Sequence, residues 1–280
     1  VPVDSLTLAG SGTDRAIEAV PVADSSGTAQ ISVTATDENG NASTESFALT
    51  VEAVNDPPRV AVNAGRAVAE GADSLITDSH LLTEDVESGP SGLTYTLTSA
   101  PVNGTLYDTG TGSALASTET FTQADLNGGS IEYRHDDSET VADSFEVVAG
   151  DPQGAETDTT TFAIDVMPVN EAPVASDDAA TTDEDQPVTI GVLANDTDPE
   201  GAIDTSSVTV ASPPTIGSAS ADASTGKITY VPDADSNGTD SLTYSVADAG
   251  GLGDTASVLV EIDPVNDPPE ARADRDTVLE

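Results

Sequence analysis

LTYSVADAGGLGDTASVLVEIDPVNDPP, residues 242–269, decides the fold. Leu242, Tyr244 and Val246 alternate with Thr243, Ser245 and Ala247, and Val258, Val260 and Ile262 repeat the same period. Between the two runs, Asp248-Ala249-Gly250-Gly251 supplies turn residues. Period-two alternation of β-branched and aromatic residues around such a turn is a β-hairpin signature. The hairpin runs into Val265-Asn266-Asp267-Pro268-Pro269, whose prolines carry no N–H for a ladder.

The passage occurs three times. Val54-Asn55-Asp56-Pro57-Pro58 and Val169-Asn170-Glu171-Ala172-Pro173 are earlier copies of the junction, spaced by 169 − 54 = 115 and 265 − 169 = 96 residues. Asp37-Glu38-Asn39-Gly40 and Asp151-Pro152-Gln153-Gly154 are earlier copies of the turn. From the turn Asp to the junction Asn is 18, 19 and 18 positions. Ile31-Val33-Ala35 and Phe145-Val147-Ala149 precede the turns, and Phe47-Leu49-Val51 and Phe162-Ile164-Val166 follow them. Further strands are expected at 93–97, 131–133, 188–190 and 228–230, and one helical turn at Thr122 to Leu126. A repeat of this length is about one β-sandwich. The expected organisation is the end of a module at 1–56, complete modules at 57–171 and 172–267, and the start of another at 268–280. This reads as a piece of a longer array.

Composition narrows the chemistry. The 280 residues hold 51 Asp and Glu against 7 Lys and Arg, a formal charge of −44. Such a surface repels phosphate backbones and anionic lipid, and no apolar run reaches the length of a membrane span. With no Cys there is neither a disulfide framework nor a thiolate metal site. Enzyme signatures are absent: His80 and His135 stand in unrelated contexts, no Gly-x-Ser-x-Gly occurs, and no carboxylate pair is singled out for glycoside hydrolysis. No Trp, five Tyr and four Phe make a poor platform for stacking sugars.

The junction Val54-Asn55-Asp56-Pro57-Pro58 resembles the linker of bacterial cadherin-like repeats, itself related to the Asp-x-Asn-Asp-Asn linker of cadherins. Ala35-Thr36-Asp37-Glu38-Asn39-Gly40 resembles the cadherin Ala-x-Asp-x-Gly strand end. Within 172–267, Val192-Leu193-Ala194-Asn195-Asp196-Thr197-Asp198, Ile228-Thr229-Tyr230-Val231-Pro232 and Gly238-Thr239-Asp240-Ser241-Leu242-Thr243-Tyr244 resemble the repeats of giant bacterial surface proteins. Within 57–171, Pro101-Val102-Asn103-Gly104-Thr105-Leu106, Phe121-Thr122-Gln123-Ala124-Asp125-Leu126 and Tyr133-Arg134-His135 resemble the repeat of chondroitin sulfate proteoglycans. The resemblance implies an all-β chain of tandem Greek-key, cadherin- or Ig-like sandwiches in an elongated array.

Alternation gives an argument for metal independent of the resemblance. Asp37, Asp151 and Asp248 share the parity of the core residues before them, so each is expected to face inward where its strand ends. An inward carboxylate is costly unless paired or metal-bound, and basic partners are scarce. Oxygen donors without His or Cys favour Ca²⁺; the competing reading is an Asp that caps its own turn. The resemblance implies the rest of the ligand set. Asn55 and Asp56 are expected to meet Asp85, Asp151 and Glu70; Asn170, with Glu171 in place of the linker Asp, to meet Asp196, Asp198 and Asp248; Asn266 and Asp267 to meet Asp274 and Asp276. Asp37 would serve an upstream linker. Asp136-Asp137, Asp177-Asp178 and Asp183-Glu184-Asp185 read as solvated faces, with extra ligands as the alternative.

The expected function is a calcium-rigidified extender of a large bacterial extracellular or cell-surface adhesin, supporting cell adhesion, with neighbouring modules of the same chain as its partners. The competing expectation is a module that itself binds a glycan or an identical repeat.

Overall fold

The computed structural model describes residues 2–11, 14–201 and 203–268. The chain divides into two compact units, Val1–Pro168 and Val169–Glu280. Both are all-β sandwich structures, as expected. In the first unit, β1 (Val3–Ala9) pairs with β2 (Ala16–Pro21), and β3 (Gly27–Thr36) pairs with β4 (Ala42–Val51). The hairpin expected around Asp37 is β3–β4, in register from Gly27↔Val51 to Thr36↔Ala42. Its turn glycine, Gly40, has φ 85°, and its counterparts Gly154 and Gly251 have 93° and 91°. All three occupy the left-handed region where a Cβ is penalised.

The rest of the first unit contains β5 (Arg59–Asn63), β6 (Arg66–Ala69), β7 (Asp73–Ile76), β8 (Leu81–Glu84), β9 (Thr94–Ser99), β10 (Gly104–Asp108), β11 (Ser113–Leu115) and β12 (Thr120–Thr122). Helix α1 (Gln123–Gly128) follows, and then β13 (Ile131–His135), β14 (Ala142–Gly150) and β15 (Thr160–Met167). The sheet orders are β11-β10-β13-β7 and β12-β9-β14-β15-β6, with β5 paired to β8. Between the larger sheets lie Tyr95, Leu97, Leu106, Leu126, Tyr133, Phe145, Val147, Phe162 and Ile164. Phe145 and Phe162 stack at 4.9 Å, and Tyr95 and Phe121 at 5.0 Å. The helix is the single turn expected near Thr122. Thr122 caps it, accepting from Asp125 N at 3.2 Å while its own N–H donates to Asp125 Oδ2 at 2.7 Å.

The second unit contains β16 (Asp178–Asp183), β17 (Val188–Ile190), β18 (Ile203–Ser212), β19 (Gly217–Asp222), β20 (Lys227–Pro232), β21 (Gly238–Asp248) and β22 (Gly253–Asp263). Two sheets, β16-β22-β21-β18 and β17-β20-β19, enclose Val192, Ile228, Tyr230, Leu242, Tyr244, Val246, Val258, Val260 and Ile262. The inward residues of 242–246 and 258–262 are at most 2% exposed, as their alternation requires.

One carboxylate in each unit, half-buried Asp143 and buried Asp240, fastens the sandwich. Tyr133 Oη donates to Asp143 Oδ2 at 2.9 Å, and Val102 N and Asn103 N donate to the same carboxylate. Tyr230 Oη donates to Asp240 Oδ2 at 2.9 Å, with Thr215 N and Ile216 N as the further donors. Burial works to raise the Asp240 carboxyl, but the N–H groups of Thr215 and Ile216 and the Tyr230 hydroxyl outweigh it and hold it at about 2. Gly104 and Gly217 lie against these tyrosines: a Cβ at either would come within 2.6 Å of the hydroxyl. The tie spans both sheets, because Asp143 and Asp240 begin core strands while Tyr133 and Tyr230 belong to the facing sheet.

Candidate metal centre

Each turn Asp divides its two oxygens between two tasks. Asp248, 4% exposed, accepts from Leu252 N at 2.9 Å with Oδ1 and from the Asn170 amide at 2.6 Å with Oδ2. Asp151 accepts from Gln153 N and Ala155 N at 2.9 Å with Oδ1, and from the Asn55 amide at 2.7 Å with Oδ2. The turn cap and the junction contact are therefore one arrangement. Burial pushes both carboxyls up, but the junction amides and turn N–H groups outweigh it and hold them below the usual carboxylate range.

Asp37 differs. It is exposed, and its Oδ2 accepts from Asn41 of its own turn at 2.9 Å. The Asn41 side chain is the largest cause lowering its carboxyl. The inward orientation expected of Asp37 is not found.

The linker residues after each Asn are also engaged. Asp56 N donates to Glu87 Oε2 at 3.3 Å, and Glu171 N donates to Glu200 Oε1 at 2.9 Å. Asp85 uses Oδ1 to accept from Glu87 N and Ser88 N, at 3.0 and 2.6 Å. Its Oδ2 is buried without a hydrogen-bond partner. Asp24, Asp56, Glu84 and Asp85 line one cleft of about 690 Å³. Glu70 is not in this group. It follows β6, and its N–H donates to Met167 O at 2.9 Å. That is the end of β15 remote from the Asp151 turn, because β6 runs parallel to β15.

In the second unit Asp196 turns inward. It accepts from Tyr244 Oη at 2.9 Å and from Ser176 N at 2.8 Å. Its neighbour Asp178 is pushed up to about 6 by burial and by the Asp196 charge. Asp198 is half-buried, and its carbonyl accepts from Gly201 N. Of the set expected around Asn170, Asp248 touches it directly.

Asp267 belongs to a group that spacing alone did not single out. Oxygens of Asp185, Asp235 and Asp267 lie within 4.8 Å of one another. Beside them Glu184, 4% exposed, accepts from Val265 N with Oε1 and from the Asn237 amide with Oε2. Partial loss of solvent and the charges of Asp235, Glu184 and Asp185 raise the Asp267 carboxyl. Asn266 donates to Asp267 O at 3.3 Å. Asp274 and Asp276 lie outside the described residues.

A signal for Asp235 was present. Residues 16–57 repeat at 227–268 without a gap, since 235 − 24 = 211 and 267 − 56 = 211. Asp24 and Asp56 thus correspond to Asp235 and Asp267. Asp24 and Asp235 both take left-handed backbone, with φ 59° and 53°, as does Asp137 at 67°. The donors gathered at these ends are all oxygens, and one buried oxygen, on Asp85, has no hydrogen-bond donor. That set fits a hard divalent cation.

Comparison with known proteins agrees with the fold. Residues 58–170 match the family model described as Cadherin-like, and residues 170–261 match the one described as Bacterial Ig domain. Extracellular matrix organizing protein FRAS1 of Mus musculus is 29% identical over 140 residues, 46% of this chain and 4% of that protein. Extracellular matrix protein 3 of Lytechinus variegatus is 35% identical over 141 residues, 49% of this chain and 4% of that protein. The chain therefore spans a small fraction of these relatives. Among solved structures, mouse Cadherin-23 EC22-24 superposes with TM-score 0.52 at 17% identity, over 89% of this chain and 79% of that one. The protocadherin GammaB4 extracellular domain gives 0.50 at 13%, over 92% and 43%. Residues 58–170 are thus similar to one cadherin-like family and residues 170–261 to the bacterial Ig domain family, on a sandwich fold like that of solved cadherin repeats.

Proposed function

We propose that the chain is a calcium-binding spacer from a large extracellular or cell-surface adhesion protein of a bacterium, whose modules are stiffened by cations held at their ends. The observation that carries this reading is the Asp185, Asp235 and Asp267 group, in which three carboxylates approach within 4.8 Å beside buried Glu184. Like charges at this range repel unless a cation lies among them. Asn266 and Asp267 would contribute from the linker, and Glu184, Asp185 and Asp235 from the module end. Asp24, Asp56 and Asp85 would form the counterpart group in the first unit, with Asn55 and Asp151 completing it. Asn170, Glu171, Asp196, Asp198 and Asp248 would serve the start of the second unit. Glu70 is the counterpart of Glu184, since each follows a parallel strand and donates its N–H to the last carbonyl of the core hairpin. Bound calcium would neutralise the repulsion and tie the linker to the module end.

The modules in this reading are residues 57–171 and 172–267, and the chain has a mechanical rather than a catalytic role. The extracellular setting is supported by the relatives named as matrix proteins and by the −44 charge, which suits a calcium-rich medium. Calorimetric titration of the whole chain with calcium tests the reading. Saturable heat at ~0.1–1 mM is expected, reduced in Asp235→Asn. The reading fails if the wild-type chain gives no binding heat.

A further inference from the structure

Arg66 faces a histidine rather than a carboxylate. Arg59 pairs with Glu84, and Arg134 with Glu132 and Asp73. Arg66 instead donates from Nε to Ser74 Oγ at 2.6 Å and from Nη1 to His80 Nε2 at 3.0 Å. A guanidinium has no acceptor, so Nε2 accepts and the ring hydrogen sits on Nδ1. Thr77 Oγ1, 3.0 Å from Nδ1, accepts that hydrogen. The Thr77 N–H also points at Nδ1, at 3.1 Å. Fixed donors therefore face both ring nitrogens. A ring protonated on both would accept from neither and would set a second cation against Arg66.

The pair sits where the chain changes sheets. β5 pairs with β8, whereas β6 lies at the edge of the five-stranded sheet, parallel to β15. Ala64 and Gly65 make the crossing. Ala64 N donates to His80 O at 2.8 Å. Gly65 has φ 69°, and a Cβ there would come within 2.9 Å of Ala163 O. Arg66, the first residue of β6, reaches across to Ser74 of β7 and to the turn before β8. β6 has four residues and, among the described residues, β15 as its single ladder partner. Its start therefore depends on side-chain contacts such as these.

The charges around the ring favour its neutral form. Loss of solvent and then the Arg66 charge push the His80 ring below its ordinary value, against the pull of Asp78 in the same turn. Asp73 of β7 and Glu84 of β8 are turned to Arg134 and to Arg59 of β5. Asp165 of β15 is exposed and stands opposite Ala67.

We propose that Arg66 and His80 form an acid-released latch over the crossing from β5 to β6, which lets the β6 edge loosen once His80 takes up a proton. The sign follows from the direction of the shift. The folded ring binds a proton less readily than the unfolded one, so the latch contributes fully above ~6.5 and is lost as pH falls below it. No metal ion enters the latch, so its outcome is independent of calcium binding.

NMR titration of the histidine rings of the whole chain in chelator, with amide exchange in β6 and β15, tests this. The His80 ring should titrate below the ~6.5 of an unperturbed histidine. Arg66→Gln should raise its midpoint, which a merely structural Arg66 would not do. The amides that join β6 to β15 should lose protection as pH falls, about tenfold for each unit by which the His80 midpoint lies below 6.5, after correction for intrinsic exchange. In His80→Gln, which keeps His135, that loss should disappear. A His80 midpoint at or above ~6.5, or one unmoved by Arg66→Gln, overturns the proposal. So does a loss of protection undiminished in His80→Gln, which would assign it to His135 or to the carboxylates. If His80→Gln fails to fold, the wild-type midpoint and its movement in Arg66→Gln decide alone.

Discussion

Replacing Asp240 with Asn should expose how much one buried carboxylate contributes to the second unit. Asp240 is 4% exposed and is met by Thr215 N, Ile216 N, Ser241 N and the Tyr230 hydroxyl, at 2.8 to 3.0 Å. Its carboxyl is held at about 2, against 3.8 when unperturbed. At about 1.4 kcal/mol per pH unit, that difference corresponds to roughly 2 kcal/mol at neutral pH. The side-chain amide introduced at this position would turn a donor toward groups that are themselves donors, so the loss should reach about 2–3 kcal/mol. The sign follows from the direction of the shift. The folded value lies below the unfolded one, so the stabilisation is complete above the unfolded value and is lost as pH falls toward 2. Urea denaturation of wild type and Asp240→Asn from neutral pH downward measures it, with amide exchange at Thr215 and Ile216 as the local probe. The gap should stay level down to about pH 5 and narrow between about pH 4 and 2. A gap under ~0.5 kcal/mol at neutral pH, or one unchanged at the acid end, would refute the reasoning.

Other substitutions separate core, close approach and junction. Phe145→Ala, at a position 1% exposed and stacked on Phe162, should cost the first unit about 3–5 kcal/mol in urea denaturation. Gly217→Ala places a methyl within 2.6 Å of the Tyr230 hydroxyl and the Val231 carbonyl, and should lower the melting temperature of the second unit by more than Ser218→Ala does. Asp248→Ala removes the partner of Asn170 and should weaken calcium binding in the second unit while leaving the first nearly unaffected; equal titrations of mutant and wild type would reduce Asp248 to a turn residue.

The core hairpins were legible because alternation and turn chemistry coincide in them. Leu242, Tyr244 and Val246 bury on one side, and Gly251 supplies the left-handed turn. Strands such as β16 (DAATTD) and β19 (GSASAD) carry no large apolar residue; tertiary pairing, not local pattern, makes them strands. Contacts between Asn55 and Asp151, and between Asn170 and Asp248, followed from the resemblance to cadherin linkers. Asp235, Asp185 and Glu184 did not. They come together only when β20 and the linker after β22 reach one end of the sandwich, and a run of acids on its own reads as a solvated face. Asp143 and Asp240 were hidden for a different reason, since their tie to Tyr133 and Tyr230 crosses from one sheet to the other.

Thermal unfolding in calcium, in chelator, and in chelator with added monovalent salt tests the central claim most directly. If the module ends hold calcium only when folded, saturation at about 100 times the dissociation constant adds ~2.7 kcal/mol per site. The melting temperature should then be highest in calcium, lowest in chelator, and only partly restored by salt. In Asp235→Asn the calcium increment should shrink. Coincident melting curves with calcium and with chelator would contradict a cation-stiffened array.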